Sequence, residues 1–160
     1  MCGSMKQFLL MSFLACLTFP VCSQKIYLLK IDQLENRLHT GKDTTYIINF
    51  WATWCAPCIE ELPNFEKLND QYRNKKLKIL LVSVDFKSQL KSSVIPFVNK
   101  KKLKNEVFFL DESDQQEYIN RIDSTWSGAI PASLFIRDNK RKFIEKQLSY
   151  RELLHEYQTF

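Results

Sequence analysis

The order of apolar and polar residues divides most of the chain into short buried runs that alternate with amphipathic segments. Apolar, β-branched and aromatic runs predict strands at residues 26–29, 44–50, 77–84 and 107–110. The run at 44–50 lacks polar alternation, which is typical of a central strand buried on both faces. Apolar residues at helical spacing predict helices at residues 32–40, 55–73, 89–103 and 114–121.

Capping and breaking residues refine the helices. Asp32 is a candidate N-cap for the first helix, and Gly41-Lys42-Asp43 is expected to end it and turn the chain. Pro63 lies inside the second helix, where we expect it to introduce a kink because proline removes a backbone hydrogen bond.

The sequence pattern after residue 131 predicts a different kind of strand pairing. Residues 132–136 and 142–147 form a candidate hairpin across a turn at 137–140, and a final helix follows at 151–157. Strands that alternate with helices imply right-handed crossovers and parallel pairing, whereas the hairpin adds an antiparallel part. The prediction is an α/β fold, a three-layer α/β/α domain with a mixed central sheet, over residues 24–160.

The first 23 residues have a separate pattern. A single cation, Lys6, precedes an apolar run at 8–21, and a polar stretch ends it. A basic start, an apolar centre and small residues before a cut are the layout of a secretory signal peptide. We predict cleavage between Ser23 and Gln24. The apolar run is shorter than the roughly 20 residues that a membrane-spanning helix needs.

Two other fates for this segment stay open. The segment can remain uncleaved as an N-terminal membrane anchor, or a lipid can be attached at Cys16 or Cys22. Each of the three fates carries residues 24–160 out of the cytoplasm, so the predicted location is periplasmic or otherwise extracytoplasmic.

Composition supports one globular domain. The 160 residues are 45% hydrophobic and 26% charged, which argues against a disordered, collagen-like or coiled-coil chain. The formal charge of +5 is spread along the chain and does not indicate a nucleic-acid partner. Three of the five cysteines lie in residues 1–23, so residues 24–160 contain two, Cys55 and Cys58.

These two cysteines lie where a helix is predicted to follow a buried strand. A thiolate at Cys55 would be stabilised by free backbone N–H groups and the helix dipole, which makes it the reactive form. Cys58, one turn later, can attack a mixed disulfide at Cys55 and release the reduced partner. Pro57 fits early in a helix, where its missing N–H costs little.

Three other uses of the pair are less consistent with the chain. A zinc site would need His39 and His155 as further ligands, and their spacing is not that of a zinc motif. A structural disulfide across two intervening residues would stabilise the fold little. Haem attachment would need a histidine at position 59, which is Ile59. We therefore predict no metal and no cofactor.

The segment around the cysteines resembles the active site of the thioredoxin superfamily. Within it, the closer resemblance is to the bacterial TlpA/ResA-like extracytoplasmic thiol–disulfide oxidoreductases, whose pattern is Trp-Cys-x-Pro-Cys-x-x-Glu-x-Pro. The residues that match this pattern are Trp54, Cys55, Pro57, Cys58, Glu61 and Pro63. The resemblance implies a thioredoxin-like fold and a redox-active disulfide between the two cysteines.

The resemblance also implies a substrate-binding surface. The superfamily places a cis-proline before a strand, facing the cysteines, and Pro131 after Ile130 occupies that place. With Trp54, Ala56 and Pro57, this loop is expected to contact the substrate chain.

A buried acid is the third implied feature. Thioredoxins proper carry an aspartate on the strand before the motif, and this chain has Asn49 there. In the TlpA/ResA-like branch the acid is the glutamate three residues after the second cysteine, which is Glu61. Positions 58 and 61 share a helix face, so Glu61 is expected to take the proton from Cys58.

The implied activity is thiol–disulfide exchange with protein substrates. The Ala-Pro dipeptide lacks the histidine of strongly oxidising relatives, so we expect a reductase of exported proteins, with a link to cytochrome c maturation by family analogy. We further expect a membrane-bound electron donor and a monomer. A disulfide oxidase or isomerase with the same site, and a non-catalytic binding module, are the alternatives.

Overall fold

A computed structural model describes residues 24–40 and 43–160. Its strands form one six-stranded sheet with the order β1-β4-β3-β2-β5-β6. The strands are β1 (Ile26–Leu29), β2 (Thr45–Trp51), β3 (Leu77–Ser83), β4 (Glu106–Leu110), β5 (Ala132–Arg137) and β6 (Lys140–Ile144). The helices are α1 (Ile31–Thr40), α2 (Ala56–Tyr72), α3 (Ile95–Lys101), α4 (Gln115–Ile122) and α5 (Tyr150–Thr159).

The sheet is mixed, as predicted. β1, β4, β3 and β2 pair in parallel, whereas β5 is antiparallel to β2 and to β6. β2 therefore has a neighbour on each side, and all seven of its residues are buried. This burial explains why the run has no polar alternation.

Two hydrophobic cores lie on opposite faces of the sheet because successive strand residues point to opposite sides. On one face, α2, α3 and α5 pack against alternate residues of the strands, including Ile47 and Trp51 of β2. On the other face, α1 and α4 cover the intervening residues, including Ile48 and Phe50. The prediction of three α/β/α layers is confirmed.

The start of α1 differs from the prediction. The helix begins at Ile31, whose N–H donates to the Glu112 carboxylate at 2.7 Å. A side chain from another part of the chain therefore provides the cap, and Asp32 instead forms an ion pair with Arg121. Gly41 and Lys42, which were expected to end the helix, lie outside the described residues, as do the cleavage and lipidation sites predicted in residues 1–23.

Two further predictions were wrong in detail. The predicted helix 89–103 starts as a π-helical turn at Leu90–Val94, in which the Ile95 N–H reaches the Leu90 carbonyl. Pro96 has no N–H with which to continue the α-helical pattern backwards. The hairpin is also tighter than predicted: Arg137 pairs directly with Lys140 across a two-residue loop, and β6 ends at Ile144.

The buried face of α5 offers a test of the core. Leu153 is fully buried, whereas His155 is exposed on the same helix. We expect Leu153→Ala to lower the free energy of unfolding by about 2–5 kcal/mol, because it leaves a cavity in a packed core. His155→Ala, the matched control, should change it by less than about 0.5 kcal/mol. Urea unfolding followed by circular dichroism measures both; equal effects would contradict this packing.

Candidate active site

The two cysteines lie at the carboxyl end of β2, where α2 begins. Cys55 is the N-cap of α2, and its Sγ atom accepts a hydrogen bond from the Cys58 N–H at 3.3 Å. Ala56 and Pro57 form the exposed first turn. Cys55 and Cys58 are joined by a disulfide. Cys55 keeps 6% of its surface exposed and Cys58 none, so an incoming sulfur can approach only the first cysteine.

A second loop faces Cys55 from the start of β5. The Ile130–Pro131 peptide bond is cis, and the Ile130 carbonyl oxygen lies 3.6 Å from the Cys55 Sγ atom. Two side chains hold this loop. The Trp126 indole N–H donates to the Ala129 carbonyl at 2.8 Å, and the Glu145 carboxylate accepts from the Ala129 N–H at 3.0 Å.

A buried carboxylate holds the loop on the other side of the cysteines. Asp85, which is 4% exposed, follows the end of β3. Its oxygens accept hydrogen bonds from the Thr53 N–H at 3.0 and 3.1 Å and from the Ser83 hydroxyl at 2.8 Å. The residues directly before Cys55 are thereby tied to the neighbouring strand. Sequence reasoning missed Asp85 and Glu145; an acid directly after a buried strand was the available signal for Asp85.

Glu61 is fully buried one turn beyond Cys58. Its Oε1 atom accepts a hydrogen bond from the Asn49 amide at 2.7 Å, and Oε2 accepts from the Leu148 N–H at 2.7 Å. Loss of hydration raises the pKa of Glu61 from 4.5 to about 7, although the two hydrogen bonds oppose the shift. A carboxyl group in this state can gain or lose a proton near neutral pH.

A cavity of about 270 Å³ opens beside this site. Trp54 and Phe86, which are 57% and 70% exposed, are among its lining residues, as are Ile130 and Trp126. Trp126 both lines this cavity and packs in the core, since its ring centroid lies 5.0 Å from that of Phe50. Phe86 is a lining residue that sequence reasoning missed.

The other residues considered from the sequence lie elsewhere. Trp51 is fully buried in the core, while His39 and His155 are exposed and lie outside this site. A basic cluster lies at the end of α3: Lys100 and Lys101 are in the last turn, Lys102 is the C-cap, and Lys104 forms an ion pair with Asp70 at 2.8 Å.

A cysteine pair at the start of a helix, after a central strand and opposite a cis-proline, defines a thioredoxin-like protein. The chain belongs to the AhpC/TSA family, whose model matches residues 13–143. This confirms the thioredoxin-like resemblance inferred from the motif.

Similar proteins are named for the same chemistry. The thiol-disulfide oxidoreductase ResA of Bacillus cereus is 33% identical over 100 residues, which cover 62% of this chain and 51% of that protein. The sporulation thiol-disulfide oxidoreductase A of Bacillus subtilis is 30% identical over 78 residues, 49% of this chain and 47% of that one. The matches therefore span about half the length of these relatives.

Solved structures support the fold. The thioredoxin-related protein from Neisseria meningitidis serogroup B superposes with a TM-score of 0.62 at 18% identity, covering 74% of this chain and 85% of that one. Among residues 24–40 and 43–160, the helices are too short or too polar to span a membrane.

The buried carboxyl makes the stability of the oxidised protein depend on pH. The pKa of Glu61 is higher in the folded protein than the 4.5 of an exposed glutamate, so the folded state keeps a proton that the unfolded chain has released. The free energy of unfolding should therefore fall as pH rises from about 5 to about 8, by at most about 3 kcal/mol from this group. Urea unfolding at several pH values measures the fall.

Glu61→Gln is the control for this prediction. Glutamine keeps the shape of the side chain and does not titrate, so we expect the variant to lack this part of the fall. Parallel pH profiles for the wild-type and variant proteins would contradict the raised pKa.

Proposed function

We propose that this protein is a thiol–disulfide oxidoreductase that reduces disulfides of exported proteins. The observation that carries the proposal is the asymmetry of the pair: Cys55 keeps 6% of its surface exposed at a helix N-terminus beside the Ile130–Pro131 loop, whereas Cys58 has none exposed. This asymmetry separates an attacking sulfur from a resolving one.

The reaction begins with the reduced pair. The Cys55 thiolate attacks one sulfur of a substrate disulfide, and the other substrate sulfur leaves as a thiolate and takes up a proton. The Cys58 thiol then loses its proton and its sulfur attacks Cys55, which breaks the mixed disulfide and releases the second substrate thiol. The Cys55–Cys58 pair loses two electrons and the substrate disulfide gains them. Donation from the Cys58 N–H to the Cys55 Sγ atom stabilises the attacking thiolate.

Glu61 is the proposed acceptor of the Cys58 proton. Both residues are buried on α2 and are separated by three positions, so their side chains lie on the same helix face. With its pKa raised to about 7, Glu61 is basic enough to accept a proton at neutral pH and acidic enough to release it afterwards.

The substrate is proposed to bind across the exposed rim of the site. Ala56, Pro57 and Trp54 surround the approach to Cys55, and the Ile130–Pro131 loop faces it. A substrate chain lying along this loop would bring its cysteine to Cys55, while the adjacent cavity accommodates a neighbouring side chain. We place the substrates among proteins because an open rim suits an extended polypeptide better than an enclosed small molecule.

Location and partners complete the proposal. Residues 1–23 are proposed to direct export, after which the domain acts as a monomer outside the cytoplasm and a membrane-bound donor restores its dithiol. Cytochrome c maturation is a candidate process by analogy with the TlpA/ResA-like branch. Peroxide reduction is less favoured because the Thr-x-x-Cys element of peroxidases would place a threonine at position 52, which is Ala52.

Cysteine variants test the proposed order of attack. Cys55→Ser should abolish reduction of insulin disulfides because no attacking sulfur remains. Cys58→Ser should instead accumulate mixed disulfides with substrate, because the resolving sulfur is absent. Turbidity and non-reducing gels measure both effects.

Expression of Cys58→Ser in the native host would identify the trapped partners. A set of exported proteins would support the proposed location. A binding module without catalysis would keep its partners in a Cys55→Ser/Cys58→Ser double variant and would reduce no insulin.

The direction of electron transfer is tested by the reduction potential. The Ala56-Pro57 dipeptide supplies no histidine to stabilise the reduced form, so we expect a potential well below the roughly −120 mV of a strong disulfide oxidase. Equilibration with glutathione or dithiothreitol buffers gives the value. A potential near that of the strong oxidase would contradict the reductase and favour the oxidase alternative.

A further inference from the structure

One polar atom beside Glu61 has no partner. Asn49 lies in the middle of β2 and is fully buried, on the same face of the strand as Ile47 and Trp51. Its Nδ2 atom donates to Glu61 Oε1 at 2.7 Å and to the Ser133 hydroxyl at 3.2 Å. Its Oδ1 atom is buried without a hydrogen bond among the described residues. Buried polar atoms are almost always satisfied, so this amide oxygen calls for a physical explanation.

The two protonation states of Glu61 need different partners. An ionised carboxylate only accepts hydrogen bonds, and the Asn49 N–H group serves that state. A neutral carboxylic acid carries an O–H group that needs an acceptor. The backbone N–H of Leu148, which faces Oε2, can only donate, whereas the Asn49 amide, which faces Oε1, carries both a donor and an acceptor.

We propose that Asn49 is a positioning residue for Glu61, whose side-chain amide donates its N–H to the carboxylate and rotates by half a turn to present Oδ1 to the carboxylic acid. The rotation exchanges Nδ2 and Oδ1. The atom that is unpartnered beside the carboxylate becomes the acceptor for the acid.

Ser133 can follow this exchange. Its hydroxyl accepts from Asn49 Nδ2 in the observed arrangement, and the same hydroxyl can turn to donate to Oδ1 after the rotation. The rotation gives up the Nδ2 contact with the Ala132 carbonyl at 3.5 Å and moves both N–H groups to the place that Oδ1 occupies in the observed arrangement. The strand backbone does not have to move.

The surroundings of Glu61 isolate this pair. The groups placed against its carboxylate are the Asn49 amide from β2 and the Leu148 N–H from the segment before α5, with Cys58 one turn back on α2. Among the described residues, no charged side chain forms an ion pair with Glu61. The Asn49 amide is therefore the side chain that hydrogen-bonds the Glu61 carboxyl group in each of its protonation states.

This role rests on the proposed function of Glu61 as a proton acceptor, and it is tested without turnover. Carbon-13 NMR of the Glu61 carboxyl group in the oxidised full chain gives its titration midpoint. Proton–nitrogen spectra follow the Asn49 side-chain amide in the same samples. We expect the amide signals to shift with the midpoint of Glu61. The nuclear Overhauser contacts of the NH₂ protons should move away from the Glu61 side chain below that midpoint.

Two variants sharpen the test. Asn49→Ala removes the donor to the carboxylate and the acceptor for the acid; because a hydrogen bond to the ionised form is roughly twice as strong as one to the neutral form, the Glu61 pKa should rise. Asn64→Ala is the matched control: its amide donates to the Leu148 carbonyl at 2.9 Å, and it does not touch the Glu61 carboxylate. This variant should leave the midpoint close to the wild-type value.

The outcomes separate the proposal from its alternatives. An unchanged Glu61 midpoint in folded Asn49→Ala overturns the positioning role. Unchanged Overhauser contacts on the two sides of the midpoint overturn the rotation, and this measurement needs only the wild-type protein if the variant does not fold. Loss of insulin reduction is measured separately, so failure of the proposed function is distinguishable from failure of this inference.

Discussion

The complete burial of β2 is the constraint on which the rest of the structure depends. Because β2 is paired on both sides and covered on both faces, apolar side chains suit its positions, and a polar side chain there has to find partners inside the protein. The chain leaves its carboxyl end for the start of α2, where Cys55 is the N-cap and keeps 6% of its surface exposed. One position in the middle of β2, Asn49, is polar, and that residue meets the one buried carboxyl group of α2, Glu61. The reactive sulfur and its proposed proton acceptor are thus placed by the same strand.

Two carboxylates then shape the site around this strand. Asp85 ties the segment before Cys55 to the end of β3, and Glu145 ties the segment before Pro131 to the end of β6. Each carboxylate accepts backbone N–H groups that an irregular loop would otherwise leave unsatisfied. The loops on the two sides of Cys55 therefore have defined positions, and the cleft between Trp54 and Ile130 is a property of the sheet rather than of the loops alone.

Local sequence signals predicted the elements well and their ends less well. The strand at 44–50 and the helix after Cys55 were confirmed because burial on both faces and a continuous apolar stripe leave a clear periodicity. The predicted N-cap of α1 was wrong because the capping side chain, Glu112, lies 81 residues along the chain from Ile31. The predicted turn of the hairpin was too long. The side chains of the edge strand are charged and give no hydrophobic pattern from which to read the register, and the two-residue turn fixes that register instead.

The sequence by itself determined the chemistry of this protein: two cysteines separated by two residues, a proline between them, a glutamate one turn later and a second proline before a strand. These features are residue types at short separations along the chain, so they can be recognised without knowledge of the fold. Only the tertiary structure decided that Glu61 is buried against Asn49 and Leu148, and that Asp85 holds the loop of Thr53. The physical reason is that burial and hydrogen bonding depend on segments 12 to 87 residues apart, which only the folded sheet brings together.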